Sequence, residues 1–127
     1  MRYRMPLESK DSKIRKLLDI LGCMKPFSEL TEMERDVFAE YVNGYFALKG
    51  KIEDKQIFEL LFKYEFTKEV SERLSTPEVN VSMDSIRNYV TKLRKKNLID
   101  ERSINKKYLD FFESIKNEIT FVLEFKD

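Results

Sequence analysis

The residues whose types and spacing suit binding chemistry lie between Val81 and Ile99. Asn88, Thr91, Lys92 and Lys95 offer an amide, a hydroxyl and two ammonium groups at helical spacing, with Ser85 and Arg87 at their edge. Such groups donate to phosphate oxygens and to base edges: an asparagine amide can pair bidentately with adenine, and an arginine with guanine. Arg94, Lys96, Arg102, Lys106 and Lys107 add cations suited to phosphates. The other side of the stretch is apolar, because Ile86, Val90 and Leu93 recur at helical spacing with Tyr89 at the stripe's edge. A helix over 82–96 therefore packs with one face and presents the other. Ser82 suits its N-cap and Asp84 the positive end of its dipole, while Lys92, Arg94, Lys95 and Lys96 crowd the negative end. An ordinary amphipathic helix with a basic solvated face shares this pattern, and a cationic run also serves simply to complement a helix C-terminus.

Bond-breaking chemistry finds little support. The chain has no histidine, which removes the commonest general base and a leading zinc ligand together. A serine or cysteine nucleophile would then need a lysine or carboxylate base, and none is spaced against Ser82, Ser85 or Cys23. Glu32, Glu34 and Asp36 read as the acidic first turn of a helix. The three glycines are scattered, so no phosphate loop forms, and the acidic residues lack the alternation of a calcium loop. Cys23 stands alone, without a disulfide partner or thiolate zinc set; it reads as a small packed residue, with an exposed redox thiol as the alternative. The sequence predicts no enzyme and no cofactor.

At 127 residues, 42% of them hydrophobic, with ten Phe and six Tyr, the chain is one domain's worth with a real core. Its formal net charge is only +1, low for a nucleic-acid binder. The distribution is uneven, however. From Ser82 to Leu109 eight Lys/Arg face three Asp/Glu, a local +5 that leaves −4 for the remainder. A basic face on a slightly acidic body can still dock on phosphates. No run approaches the roughly 18 apolar residues of a membrane span. The basic start, 1–6, is followed by charged residues rather than an apolar core, unlike a secretory signal. A soluble, cytoplasmic protein is expected.

The elements that must hold these residues are mainly helices. A short arm over 1–8 precedes a helix from Lys10 to Leu21, whose Ile14, Leu17, Leu18 and Leu21 form a stripe that serves equally as core or as a homodimer seam. Lys25-Pro26-Phe27 is a break, so 1–25 separate from 26–127. The next helix opens at Thr31, with Glu34 completing a capping box, and ends at Lys49-Gly50-Lys51. Gly44 inside it implies a close neighbour or a bend. A third helix over about Asp54 to Tyr64 is apolar on most sides and should be the buried centre. A shorter one, capped by Thr67, runs to Leu74. The aromatic residues Phe38, Tyr41, Tyr45, Phe58, Phe62 and Phe66 fall on helical stripes and read as core rather than as a base-stacking platform. After the basic helix, Ile104, Tyr108, Phe112 and Ile115 keep helical spacing, and 119–126 alternate as a strand. Leu98-Ile99 and Ser103-Ile104 are candidates to form a small ladder with that strand. The predicted class is mainly α with a small C-terminal β element.

Thr67-Lys68-Glu69-Val70-Ser71-Glu72-Arg73-Leu74, followed by Val81-Ser82-Met83-Asp84-Ser85-Ile86-Arg87 and on through Leu98-Ile99, resembles the winged helix-turn-helix pattern. The chain is also similar, less closely, to small winged-helix-like proteins of tailed bacteriophages. The resemblance covers about Glu53 to Ile104. It implies a winged-helix-like domain over 26–127 that reads double-stranded DNA with helix 82–96, as a transcription regulator or replication accessory factor. Two departures stand out. The turn from Ser75 to Val81 is seven residues, longer than the usual three or four. Asn97 replaces the glycine usual before the Leu-Ile segment, a mild change because asparagine tolerates the left-handed conformation. Winged-helix modules also serve as protein-interaction or assembly parts, which is the alternative expectation. Because a single winged helix contacts few bases, a homodimer through the Ile14/Leu17/Leu18/Leu21 stripe is expected, with intramolecular packing as the competing outcome.

Overall fold

The computed structural model describes residues 14, 18, 19, 21–23 and 25–114. Its longest element is α1, Glu32–Leu48. Thr31 caps it as the spacing predicts. Thr31 Oγ1 accepts from the Glu34 N–H at 3.1 Å, and Glu34 Oε1 accepts from the Thr31 N–H at 2.9 Å, which satisfies two otherwise unpaired donors. Next come α2, Asp54–Leu61, α3, Tyr64–Leu74, and α4, Met83–Lys95. A last helix, α5, covers 106–114. Residues 14, 18 and 19 are also helical, and short 3-10 turns at Leu21–Cys23 and Phe27–Glu29 lead into α1.

The hub is α1, not the third helix expected from sequence. Val37, Phe38, Ala39, Tyr41, Val42 and Tyr45 are all buried, a band too wide for one contact face, so neighbours must cover α1 on several sides. The helices α2, α3 and α4 all pack against it. By contrast α2 buries only Ile57 and Leu61, an i, i+4 pair sufficient to dock a short helix, while Leu60 is left 45% exposed. The chain leaves helical geometry at Phe62, and α3 starts at Tyr64. Thr67 is therefore no cap. It is buried inside α3, and its hydroxyl donates to the Lys63 carbonyl at 3.4 Å. Gly44 marks a close approach: a Cβ there would lie 2.8 Å from Leu61 Cδ2 and 3.0 Å from Phe66 Cζ. Gly50, just past α1, adopts φ +88, where a side chain would be strained.

Of the aromatic residues expected in the core, Phe38, Tyr41 and Tyr45 are buried in it, while Phe58, Phe62 and Phe66 are half-buried and pack against it. Tyr41 meets Phe66 edge-on at 5.0 Å and Phe62 at 5.4 Å, and Tyr45 stacks on Phe58 at 5.5 Å. At the other end Phe27, Phe38 and Phe112 cluster with centroids 5.9 and 6.0 Å apart, tying α5 to α1. Ile14, Leu18 and Leu21 are 2%, 1% and 7% exposed and belong to the same core. Intramolecular packing thus takes up these stripe residues, and the homodimer seam expected there is corrected: buried side chains offer nothing to a second copy. Leu17 lies outside the described residues.

Within the described residues the β element is limited to bridges. Among the described residues there is no sheet, only an antiparallel bridge, Ile99 to Ile104, and a bridge of Lys49 with Ile52. The first sits in a hook over 97–105, closed by the Asp100 N–H to the Ser103 carbonyl at 2.7 Å and the Asn105 N–H to the Leu98 carbonyl at 3.1 Å. Asn97 opens the hook at φ 66, the left-handed conformation its type tolerates. The strand predicted at 119–126 lies outside the described residues. The structure is mainly helical. No described helix is long and apolar enough to cross a membrane.

Candidate nucleic-acid interface

The seating of α4 follows from its sequence period. Ile86, Val90 and Leu93 are 0%, 5% and 0% exposed, so one face is sealed against α1 and α3. Ser82 caps the helix, its Oγ accepting from the Ser85 N–H at 3.1 Å. The long turn from α3 is braced by two serines whose roles the sequence did not reveal. Ser71 Oγ donates to the Val81 carbonyl at 2.6 Å, and Ser75 Oγ accepts from the Val81 N–H at 2.9 Å. Within the turn, the Thr76 N–H donates to Val79 O at 2.8 Å, and the Val79 N–H returns a bond to Thr76 O at 3.2 Å. Seven residues thus hold α3 and α4 in a fixed relation without a glycine. Two serines one helical turn apart at the end of a helix were the available signal.

On the outer face Arg87, Asn88, Thr91, Lys92 and Lys95 are exposed, and Ser85 is half-buried at its rim. Among the described residues Asn88 and Lys95 have no hydrogen-bond or ion-pair partner. Arg87 pairs with Asp84 at 3.0 Å, an exposed contact of at most about 1 kcal/mol that a ligand can displace. The Thr91 hydroxyl donates back to the Arg87 carbonyl at 3.0 Å and keeps its acceptor capacity. The Lys92 ammonium lies over the Tyr89 ring at 5.7 Å. Arg102, at the tip of the hook, is exposed. Lys106 pairs with Asp110 at 2.9 Å, and Lys107 lies over Tyr108 at 5.5 Å.

Two of the expected phosphate contacts point elsewhere. Lys96 Nζ donates to Glu34 Oε1 and to the Glu29 carbonyl, both at 2.8 Å. Arg94 holds the hook: its Nε donates to the Asp100 and Glu101 carbonyls at 3.1 Å, and its Nη2 to the Glu101 carbonyl at 2.8 Å. Its guanidinium also sits 6.0 Å from the Phe62 centroid. Both cations are engaged by the protein itself. The same Glu34 carboxylate caps α1 and anchors the end of α4. Burial alone would push it up, but the Lys96 hydrogen bond, the Thr31 N–H and the charges of Lys96 and Lys92 bring it below the ordinary carboxylate range.

No group of described residues could hold a metal ion. Comparison with protein-family models, with curated protein sequences and with solved structures finds no match to this chain.

Proposed function

We propose that the chain is a non-enzymatic, sequence-specific DNA-binding protein of the winged-helix type, a transcription regulator or replication accessory factor acting in the cytoplasm. The observation that carries this reading is the outer face of α4. Arg87, Asn88, Thr91, Lys92 and Lys95 stand exposed together on a helix whose inner face is sealed by Ile86, Val90 and Leu93. A helix presents about this many side chains to a major groove, and a rigid mount spares the binding event the cost of ordering them. In this reading Asn88 and Arg87 supply base-edge contacts, with Ser85 and Thr91 beside them. Lys92, Lys95 and Arg102 meet phosphates, with Lys106 and Lys107, exposed at the start of α5, as further candidates. With the N-terminal stripe used in the core, a second copy is not assigned to it.

Duplex binding followed by fluorescence anisotropy across a salt series tests this. Lys92→Ala combined with Lys95→Ala should weaken binding at low salt and flatten the log–log salt slope by about two, one phosphate per ammonium lost. The melting temperature should stay unchanged, because both side chains are exposed. Equal binding by parent and double variant at every salt concentration overturns the reading.

A further inference from the structure

The face of α2 that fails to be buried lines an open groove. Lys55, Phe58, Glu59 and Phe62 project from it at helical spacing, Lys63 follows at its end, and Arg102 reaches over from the hook, enclosing about 530 Å³. That volume is on the scale of sites that take one or two anchoring side chains. Its floor is two half-buried phenylalanines and its rim holds three cations against one carboxylate. Among the described residues none of those four charged side chains has a hydrogen-bond or ion-pair partner. Leu60 and Tyr64, the latter 58% exposed, extend apolar surface on either side of Lys63 in sequence.

We propose that this groove binds an acidic peptide segment of a partner protein, with an aliphatic or aromatic anchor on Phe58 and Phe62 and its carboxylates on Lys55, Lys63 and Arg102. The charge complementarity selects an anionic partner, and the apolar floor asks for more than an anion. A single-stranded nucleic acid fits less well, for two reasons. Phe58 already stacks on Tyr45, and Phe62 is flanked by Tyr41 and the Arg94 guanidinium, so less ring face is left for a nucleobase to stack on. Ring edges carry partial positive charge and suit carboxylates and packed side chains alike. Glu59, in addition, can accept a peptide N–H, a donor that a phosphodiester backbone does not offer. The groove shares Arg102 with the proposed duplex surface, but its other residues lie on or just beyond α2, and the proposal does not rest on duplex binding at α4.

Selection of short random peptides from a displayed library on the full chain, followed by anisotropy with the enriched peptides, tests the proposal. Enriched peptides should carry two or more carboxylates flanking a large apolar residue. Lys55→Glu with Lys63→Glu should weaken them at least about tenfold, since two attractions become repulsions, while melting temperature and duplex binding hold. The Lys92→Ala, Lys95→Ala pair should leave peptide binding unchanged. Peptides enriched without acidic residues overturn the proposal, as does equal binding by the charge-reversed chain. Oligo(dT) binding that depends on Lys55 and Lys63 would assign the groove to nucleic acid instead. Parallel loss of duplex and peptide binding would make the groove part of the DNA surface, again overturning it.

Discussion

Within five residues α4 and its C-cap carry four cations that do two different things. Lys92 and Lys95 leave the helix on its solvent side, where Lys92 lies over the Tyr89 ring and Lys95 has no hydrogen-bond or ion-pair partner among the described residues. Arg94 and Lys96 leave it toward the body, where backbone carbonyls and the Glu34 carboxylate receive them. The composition of the run is uniform; the helical period sorts it. The outer pair keeps its charge available for a ligand. The inner pair is spent on geometry, fixing the hook and locking α4 to the start of α1. A basic run is therefore not one signal but two, and only the part off the buried stripe speaks to binding.

The harshest way to break the comparison is to remove what sorts the run. Ile86→Asp places a carboxylate in a fully buried site with no partner, at a cost of several kcal/mol against a total stability of roughly 5–15. The domain should lose cooperative unfolding by circular dichroism, and both sets of cations with it. A melt unchanged from the parent would mean that the stripe is not core, and the inner and outer faces would lose their meaning.

A milder test sets one cation of each kind side by side. Lys96→Met leaves Glu34 buried without its ammonium, and breaking such a pair costs roughly 3 kcal/mol. Lys95→Met removes an exposed charge and should cost less than about 0.5 kcal/mol. Urea unfolding of the two variants measures the difference. Equal losses would erase the distinction between the two populations.

Local signals were legible in the sequence, and long-range partners were not. The Thr31–Glu34 capping box, the Ser82 cap and the Ile86/Val90/Leu93 stripe are encoded within one or two turns, and all three form. The bond from Lys96 to Glu34 spans 62 positions, so nothing in either segment announces it. The same holds for α2, where dense apolar composition suggested the centre of the core. Composition gives no direction: only Ile57 and Leu61 are buried, while Phe58 and Phe62 lean on Tyr45 and Tyr41 of α1 and stay half-buried to floor a groove. The stripe at Ile14, Leu18 and Leu21 was readable as a face but not as facing its own chain. Leu98-Ile99 and Ser103-Ile104 are expected to ladder with a strand at 119–126, which lies outside the described residues; within them Ile99 bridges Ile104, and the brace of that hook, Arg94, is not legible because a guanidinium suits carbonyl and phosphate oxygens equally.

The smallest expected effect concerns the charge on Glu34 alone. Its carboxyl is held below the ordinary range in the folded chain, so it binds its proton less readily folded than unfolded. A depressed folded value contributes stability above the ordinary carboxylate pKa of about 4.5, and that contribution fades as pH falls through the folded value. Glu34→Gln keeps an oxygen to accept from Thr31 and Lys96 and removes only the charge. The variant should melt somewhat below the parent at neutral pH, and the gap should narrow on acidification below the ordinary carboxylate value of about 4.5 and close as the parent's folded carboxylate protonates. Lys95→Gln, on the outer face, should track the parent at every pH. Melting temperatures of the three chains from pH 7 to pH 3 decide it. A gap that stays constant with pH would show that Glu34 contributes shape rather than charge, and the inner cation Lys96 would then be no more than a hydrogen-bond donor.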